Sequence, residues 1–531
     1  MLRADWSDVM FIKIFLTVLF FAVMVGVGLY CRRHATDVNG FVLGGRSVGP
    51  WLTAFAYGTS YFSAVIFIGY AGQFGWKYGI AATWIGIGNA LIGSLLAWVI
   101  LGRRTRIMTQ YLGSSTMPDF FGKRFDSNAL KIGASFITFI FLIPYTASLY
   151  NGLSRLFEMA FGIDYVWCII IMSVLTGIYV IAGGYMATAI NDFIQGIIML
   201  GGIIAVIIAV LNTNGGFMGS LAKMSEINDA SVSSMPGAFS SFFGPDPVNL
   251  FGVVILTSLG TWGLPQMVQK FYAIKSEESI KKGTVISTLF AVVVAGGCYF
   301  LGGFGRLADI NTTTGIAGTG SPAEGFDAVV PGMLSSLPDI LIAVVMILVL
   351  SASMSTLSSL VIASSSTLTI DFLKGNIIKK MDEKKQVLII RIFIVVFIAI
   401  SALIAVYQVK STNEAVKYIA QLMGVSWGAL AGAFLAPFLY GLYSKRATKI
   451  ACWTSFIFGS GIMMANMLFR SSFPAFLQSP INCGAFAMIA GLIIVPVVSL
   501  FTPKGDKNAI DAMFACYDKK VEVSQKTSLT D

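Results

Sequence analysis

Apolar runs of membrane-spanning length recur along almost the whole chain, and no other feature narrows its fold as much. Thirteen can be marked, at about 9–30, 51–71, 79–101, 129–151, 164–183, 190–211, 249–272, 283–305, 338–366, 386–407, 416–440, 447–469 and 482–501. Each suits one crossing of a hydrocarbon layer about 30 Å thick. Inside that layer every backbone N–H and C=O must find a partner within the protein, which leaves only helices or closed barrels. Runs of about twenty residues without strict alternation select helices. The expectation is an all-α, multi-pass membrane protein whose surroundings are the lipid bilayer. A composition of 56% hydrophobic and 12% charged residues points the same way.

An odd number of crossings puts the two ends on opposite sides. With the N-terminus outside, most of the 36 lysines and arginines fall on the inner side. They cluster at Arg32, Arg33 and Arg46, from Arg103 to Lys131, from Lys270 to Lys282, from Lys374 to Arg391, at Lys445, Arg446 and Lys449, and in the tail. Basic residues collect on the cytoplasmic side of membrane proteins, so the expected orientation is N-out and C-in, in a cell (plasma or inner) membrane. The same asymmetry accounts for a net charge of +10 without nucleic acid. The segment 9–30 lacks a small-residue cleavage site and reads as a retained helix.

Other classes are disfavoured. The six cysteines are scattered without paired spacing, and the one histidine, His34, sits beside Arg32 and Arg33. Neither a disulfide framework nor a zinc or histidine-relay site follows from that pattern. There is no nucleophile elbow, P-loop or pair of catalytic carboxylates at membrane depth, so the chain is not expected to be an enzyme.

Three stretches carry chemistry that a purely lipid-facing helix does not need. Residues 350–371 crowd hydroxyls into an otherwise apolar run. At helical spacing Ser351, Ser355 and Ser358 share one stripe, with Ala352, Thr356 and Ser359 beside it. Hydroxyls in lipid need partners, so this face looks into the protein or a wet cavity; packing glue between helices is the plainer alternative. The second segment places Gly58-Thr59-Ser60 and Ser63 at mid-depth, and the seventh carries Gly260, Gly263 and Pro265. Proline removes a backbone donor and clashes with the preceding turn, so breaks are expected at both places. They lie five segments apart, and an odd offset inverts the second copy relative to the first. Inverted five-helix repeats that each open on a broken helix mark a transporter, with ion and substrate at the breaks.

These residues resemble the sodium/solute symporter family, which includes sodium/proline, sodium/pantothenate, sodium/glucose and sodium/iodide carriers. The resembling stretches are Gly58 to Gly69, Ile181 to Ala187 with Asn191 to Gln195, Gly263 to Phe271, Ala352 to Ser359 and, more weakly, Phe438 to Lys445. The resemblance implies one transmembrane transporter domain over 1–501, of amino-acid/sodium symporter-like fold. Helix 9–30 would precede repeat one (about 51–211) and repeat two (about 249–440). Two further helices (447–501) and a short cytoplasmic tail (502–531) would follow.

The resemblance also implies a sodium site at the backbone carbonyls of Thr59, Phe62 and Ala352 and the hydroxyls of Ser355 and Thr356. A hard cation wants several oxygens, and these supply them without net charge. A second sodium position would use Asp192, Ser358 and Ser359. The substrate would lie between Ser63, Ala64, Ile66 and Phe67 on one side and Trp262, Gly263 and Gln266 on the other. Sugar-carrying relatives have a glutamine at the position of Ile66, which counts against a hexose. No Lys or Arg is expected mid-membrane near this pocket, so a substrate carboxylate would rest on backbone N–H groups. The implied function is sodium-coupled import of a small organic solute by alternating access, most readily a proline-like amino acid or small carboxylate. Sodium and solute are then the partners, with no obligate protein partner evident. A sugar or sialic acid symporter, a non-transporting sensor and a sodium channel are the alternatives.

Overall fold

The computed structural model describes residues 6–32, 37–335, 337–378, 381–410 and 419–518. His34, Arg33, Lys379, Lys380, residues 416–418 of the eleventh segment and the tail from 519 onward lie outside the described residues.

The chain folds as an all-helical bundle. Its main helices are α1 (Trp6–Cys31), α2 (Pro50–Tyr61), α3 (Asn128–Phe161), α4 (Tyr165–Thr213), α5 (Pro247–Leu259) and α6 (Pro265–Ala273). They continue with α7 (Glu277–Ala291), α8 (Asp339–Thr367), α9 (Glu383–Lys410), α10 (Ile419–Tyr443), α11 (Lys449–Leu468), α12 (Pro480–Phe501) and α13 (Lys507–Phe514). Their starts are written in the sequence. Proline opens α2, α5, α6 and α12, where its missing N–H costs no helical bond. The side chains of Ser127, Ser276 and Thr448 accept from backbone N–H groups in the first turns of α3, α7 and α11.

Ten helices among the described residues are long and apolar enough to cross a membrane, and α5 with α6, bent by 46°, adds an eleventh. Two runs are too long for one crossing. At 1.5 Å per residue the 49 residues of α4 would reach about 73 Å, more than twice the hydrocarbon core. Gly184 breaks it, with φ 57° and ψ −154°, a conformation open essentially to glycine alone. Val65–Tyr111 spans 47 residues and turns at Gly79 (φ 61°). Divided at these glycines, the helices correspond to the thirteen segments expected from the sequence.

α8 is the central helix. Every residue from Leu348 to Thr367 is buried, and it packs on α4 and α3. Its hydroxyls therefore face protein on all sides, as a polar stretch at membrane depth must. On the far side of α10, glycines let helices meet backbone to backbone: a Cβ on Gly459 would stand 2.2 Å from the Gly432 carbonyl carbon, and one on Gly484 would stand 2.7 Å from Gly428. Small-residue contacts of this kind hold helices together where lipid offers no hydrophobic drive.

One loop layer is closed by a buried ion pair, Arg306 to Asp229 at 3.0 Å, with side chains 1% and 4% exposed. The same arginine donates to the Trp76 carbonyl (2.7 Å) and stacks on Phe239 (3.6 Å), while Asp229 accepts from the Gly320 N–H (2.8 Å). Burial pushes the Asp229 carboxyl up, but hydrogen bonds from Ser231, Arg306 and Gly320 hold it below the usual carboxylate range. A depressed carboxyl stabilises the fold above its unfolded pKa of about 3.9 and loses that contribution as pH falls through the lower folded value. Asp229→Asn would leave the Arg306 cation buried without a counter-charge, a loss of about 3–5 kcal/mol. A clear drop in melting temperature of the purified protein at neutral pH is expected. An unchanged melt would mean that the loop layer does not depend on the pair.

At the opposite end α13 is strapped to the bundle. Lys445 pairs with Asp511 (2.7 Å), Arg103 donates to the Tyr517 carbonyl (3.0 Å), and Arg104 stacks between Tyr443 and Tyr517. The described part of the tail thus sits on the face that carries Arg103, Arg104 and Lys445.

Candidate functional site

Both expected breaks are present, and their backbones are nearly the same. α2 stops at Tyr61, Phe62 turns extended (φ −89°, ψ 124°), and the helix resumes as a wide turn over Val65–Tyr70. α5 tightens through Gly260–Gly263, Leu264 turns extended (φ −88°, ψ 121°), and α6 starts at Pro265. A helix that ends inside a protein leaves its last carbonyls without intrahelical donors. At the first break those carbonyls are answered by α8.

The five positions expected to hold sodium come together there. The Thr59 carbonyl accepts from Ser355 Oγ (3.0 Å) and Thr356 Oγ1 (3.2 Å). The Phe62 carbonyl accepts from Thr356 Oγ1 (3.3 Å). The Ala352 carbonyl accepts from both hydroxyls, at 3.1 Å each. Three carbonyl and two hydroxyl oxygens thus form one buried cluster with no formal charge. A hydroxyl can turn its proton away and present a lone pair, so the cluster can exchange its internal hydrogen bonds for a hard cation.

Asp192, Ser358 and Ser359 lie nearby, in surroundings the sequence did not suggest. Ser358 Oγ donates back to the Ser355 carbonyl (2.9 Å). Ser359 Oγ donates to the same carbonyl (3.1 Å) and shares a hydrogen bond with Ser60 Oγ (2.8 Å). Asp192, 0% exposed, faces the ammonium of Lys270 at 3.7 Å, and Lys270 Nζ also donates to Ser359 Oγ (2.9 Å). The absence of Lys and Arg was expected of the solute pocket; Lys270 instead meets the residues expected at the second sodium position. Lys270 looked like a residue at the inner end of the seventh segment. After the break at Leu264 the helix restarts at Pro265, and five residues on from there Lys270 is 2% exposed between α4 and α8.

The expected substrate residues divide by what they touch. Ser63 Oγ and both polar atoms of Gln266 are buried with no hydrogen-bond partner among the described residues. The Ala64 N–H donates to Ser353 Oγ (3.2 Å), the Ile66 carbonyl accepts from Cys298 Sγ (3.8 Å), and Phe67 packs edge-on against Phe62. Trp262 donates to the Ile92 carbonyl (3.0 Å), which holds its ring. Gly263 faces α10, where a Cβ would stand 2.8 Å from Ala431 Cα. Cavities of about 540 and 430 Å³ open in the loop layer that holds Arg306, and none of these residues lines either one.

The structure adds residues that no motif suggested. Trp427 on α10 reaches both breaks, with its ring 5.8 Å from Tyr61 and 3.3 Å from where a Cβ on Gly260 would lie. Tyr145 on α3 lies edge-on to Trp427, with the Ser63 hydroxyl also beside its own, and the Tyr61 hydroxyl is buried beside Thr257. The three bring polar atoms as well as rings to the breaks.

A sequence profile described as the sodium:solute symporter family matches residues 41–459. The chain belongs to that family. Among relatives of this symporter, "Sodium/proline symporter 2" of Staphylococcus saprophyticus is 27% identical over 520 residues, covering 95% of this chain and 94% of the relative. A "Sodium/proline symporter" of Staphylococcus aureus is 29% identical over 481 residues, covering 87% and 86%. Among solved structures, a substrate-bound, outward-open Na+-coupled sialic acid symporter matches with a TM-score of 0.70 at 16% identity, covering 93% of this chain and 99% of that one. Mhp1, a nucleobase-cation-symport-1 family transporter in a closed conformation, matches with a TM-score of 0.50 at 14% identity, covering 90% and 98%. The fold expected of a symporter with two broken helices is the fold found.

Proposed function

We propose that the chain is a sodium-coupled secondary carrier that imports a small organic solute by alternating access, with a proline-like amino acid as that solute. The observation that carries this reading is the neutral five-oxygen cluster that joins the first break to α8. Sodium drawn into it would bind the carbonyls of Thr59 and Phe62 to Ala352, Ser355 and Thr356. That ligation stabilises whichever conformation holds the two elements together, and it is lost when they part. Neutral ligands keep the ion releasable, which a cycling carrier requires.

The solute would lie between Ser63, Ala64, Ile66 and Phe67 and the second break at Trp262, Gly263 and Gln266. The unpartnered Ser63 hydroxyl and Gln266 amide can receive an amino acid's polar groups, with Tyr61, Tyr145 and Trp427 around its apolar part. The names of the sodium/proline relatives support the amino acid over a sugar. The repeats would run over about 51–211 and 249–440 within one domain over 1–501, each opening on its broken helix.

Uptake of labelled L-proline, pantothenate, sialic acid and glucose into proteoliposomes, with and without an inward sodium gradient, tests the reading. Sodium-dependent accumulation of proline is expected. Accumulation indifferent to sodium would remove the coupling, and accumulation of another solute alone would remove the proline assignment.

The orientation would be N-out and C-in, in a cell membrane. Single cysteines placed in an otherwise cysteine-free background at Ser233 and Lys374 test it with a membrane-impermeant maleimide. Ser233→Cys should label in intact cells and Lys374→Cys only after lysis. The reverse pattern would invert the topology.

A further inference from the structure

The second sodium position expected at Asp192, Ser358 and Ser359 already holds a cation, one that belongs to the chain. We propose that the Lys270 ammonium occupies this position as a tethered ion, so that the carrier binds a single sodium at the Thr59–Thr356 cluster. This inference rests on the sodium reading of that cluster given above.

Three observations carry it. Lys270 Nζ uses two of the three groups a second sodium would need: it lies 3.7 Å from Asp192 Oδ2 and donates to Ser359 Oγ at 2.9 Å. The Tyr185 ring, 5.1 Å from Nζ, covers it on another side. Charge is the second observation. Asp192 and Lys270 are 0% and 2% exposed and cancel each other. A mobile sodium added here would put two cations beside one carboxylate in a poorly screened interior, where like charges repel far more strongly than in water.

The third observation is connectivity. Ser359 Oγ meets Ser60 Oγ on α2 (2.8 Å) and the Ser355 carbonyl (3.1 Å), while Ser355 Oγ donates to the Thr59 carbonyl (3.0 Å). The tethered ammonium is thus one hydroxyl, Ser359 Oγ, away from cluster residue Ser355 and links α6 and α4 to α2 and α8. A free second ion would have to be discharged inside on each cycle. A lysine on the second broken helix performs the same bridging and stays with the protein.

The pair is also loosely made. At 3.7 Å it is longer than a close ion pair, and among the described residues Lys270 supplies the one charged contact of the Asp192 carboxylate. Removing the ammonium would therefore expose a buried carboxylate and two serine hydroxyls, a ligand set suited to sodium.

Equilibrium binding of radiolabelled sodium to the purified full chain tests this without knowledge of the solute. The wild type is expected to bind one ion per chain, non-cooperatively. Lys270→Met, with Asp192 intact, should bind two. Asp192→Asn/Lys270→Met should return to one, and Lys270→Arg should keep one. Two ions bound by the wild type, or one by a folded Lys270→Met protein, would overturn the proposal. If Lys270→Met does not fold, the wild-type count and the neutral double variant decide it. Sodium binding that survives unchanged in Ser355→Ala/Thr356→Ala would instead overturn the sodium cluster itself, and the tethered-ion inference would fall with it.

Discussion

Replacing Ser355 and Thr356 together by alanine is expected to abolish sodium-driven accumulation while leaving the protein folded and in the membrane. In the proposed site each hydroxyl would be one of five oxygens around the ion, and a contact between a polar group and a charge is worth about 1.5–3 kcal/mol. Losing both costs about 3 kcal/mol or more, roughly a hundredfold or more in sodium affinity. The carbonyls of Thr59, Phe62 and Ala352 would remain. The double variant removes little apolar volume and α8 is held by its contacts with α4 and α3, so the protein should still fold, with a lowered melting temperature because the buried Thr59 and Phe62 carbonyls lose their donors. Sodium-dependent proline uptake in proteoliposomes, measured across a sodium series with facilitated counterflow as a control, reads the effect. Uptake with unchanged sodium affinity would return Ser355 and Thr356 to the role of helix-packing hydroxyls.

The second large effect is expected at Gly184. Substitution by alanine asks a residue with a Cβ to adopt φ 57° and ψ −154°, which costs of order 1–3 kcal/mol in strain alone. The added Cβ would also stand 2.9 Å from the Phe41 carbonyl oxygen and 3.0 Å from Phe41 Cδ2. No flexible chain end is available to yield at the carbonyl. The break inside α4 lies eight residues before the buried Asp192, so Gly184→Ala should sharply reduce membrane-inserted, detergent-stable protein. Gly201→Ala, where a Cβ would meet nothing within 4 Å, is the matched control on the same helix. Monodisperse yield on size-exclusion chromatography compares the two; equal yields would show that the reversal tolerates a side chain.

How much of this could be read from the sequence follows from which interactions are local. The helices are legible because membrane depth imposes a length on each apolar run, and the breaks because Pro265 and the glycines act on their own neighbourhoods. Ser355 and Thr356 were legible as a stripe, since helical spacing is a local rule, and their partners Thr59 and Phe62 followed from the resemblance. Lys270 was not legible. A count of basic residues assigns each lysine by its distance along the chain from an apolar run, whereas its burial depends on the restart at Pro265 and on α4 and α8 closing over it. Tyr145 and Trp427 were hidden for a different reason: an aromatic inside an apolar run looks the same whether it fills a core or lines a pocket. Which neighbours their rings and polar atoms meet separates the two cases, and neighbours are a property of three dimensions.

The neutrality of the oxygen cluster has an electrical consequence. With Asp192 and Lys270 cancelling, the transport site proposed above would carry no formal charge when empty and, with a neutral solute, only the charge of its ion when loaded. A voltage across the membrane then acts on the inward passage of the loaded carrier and leaves the return of the empty one nearly untouched. One elementary charge carried through the full field gains about 2.3 kcal/mol per 100 mV, roughly fiftyfold in equilibrium. Hyperpolarisation would thus drive delivery without slowing recovery.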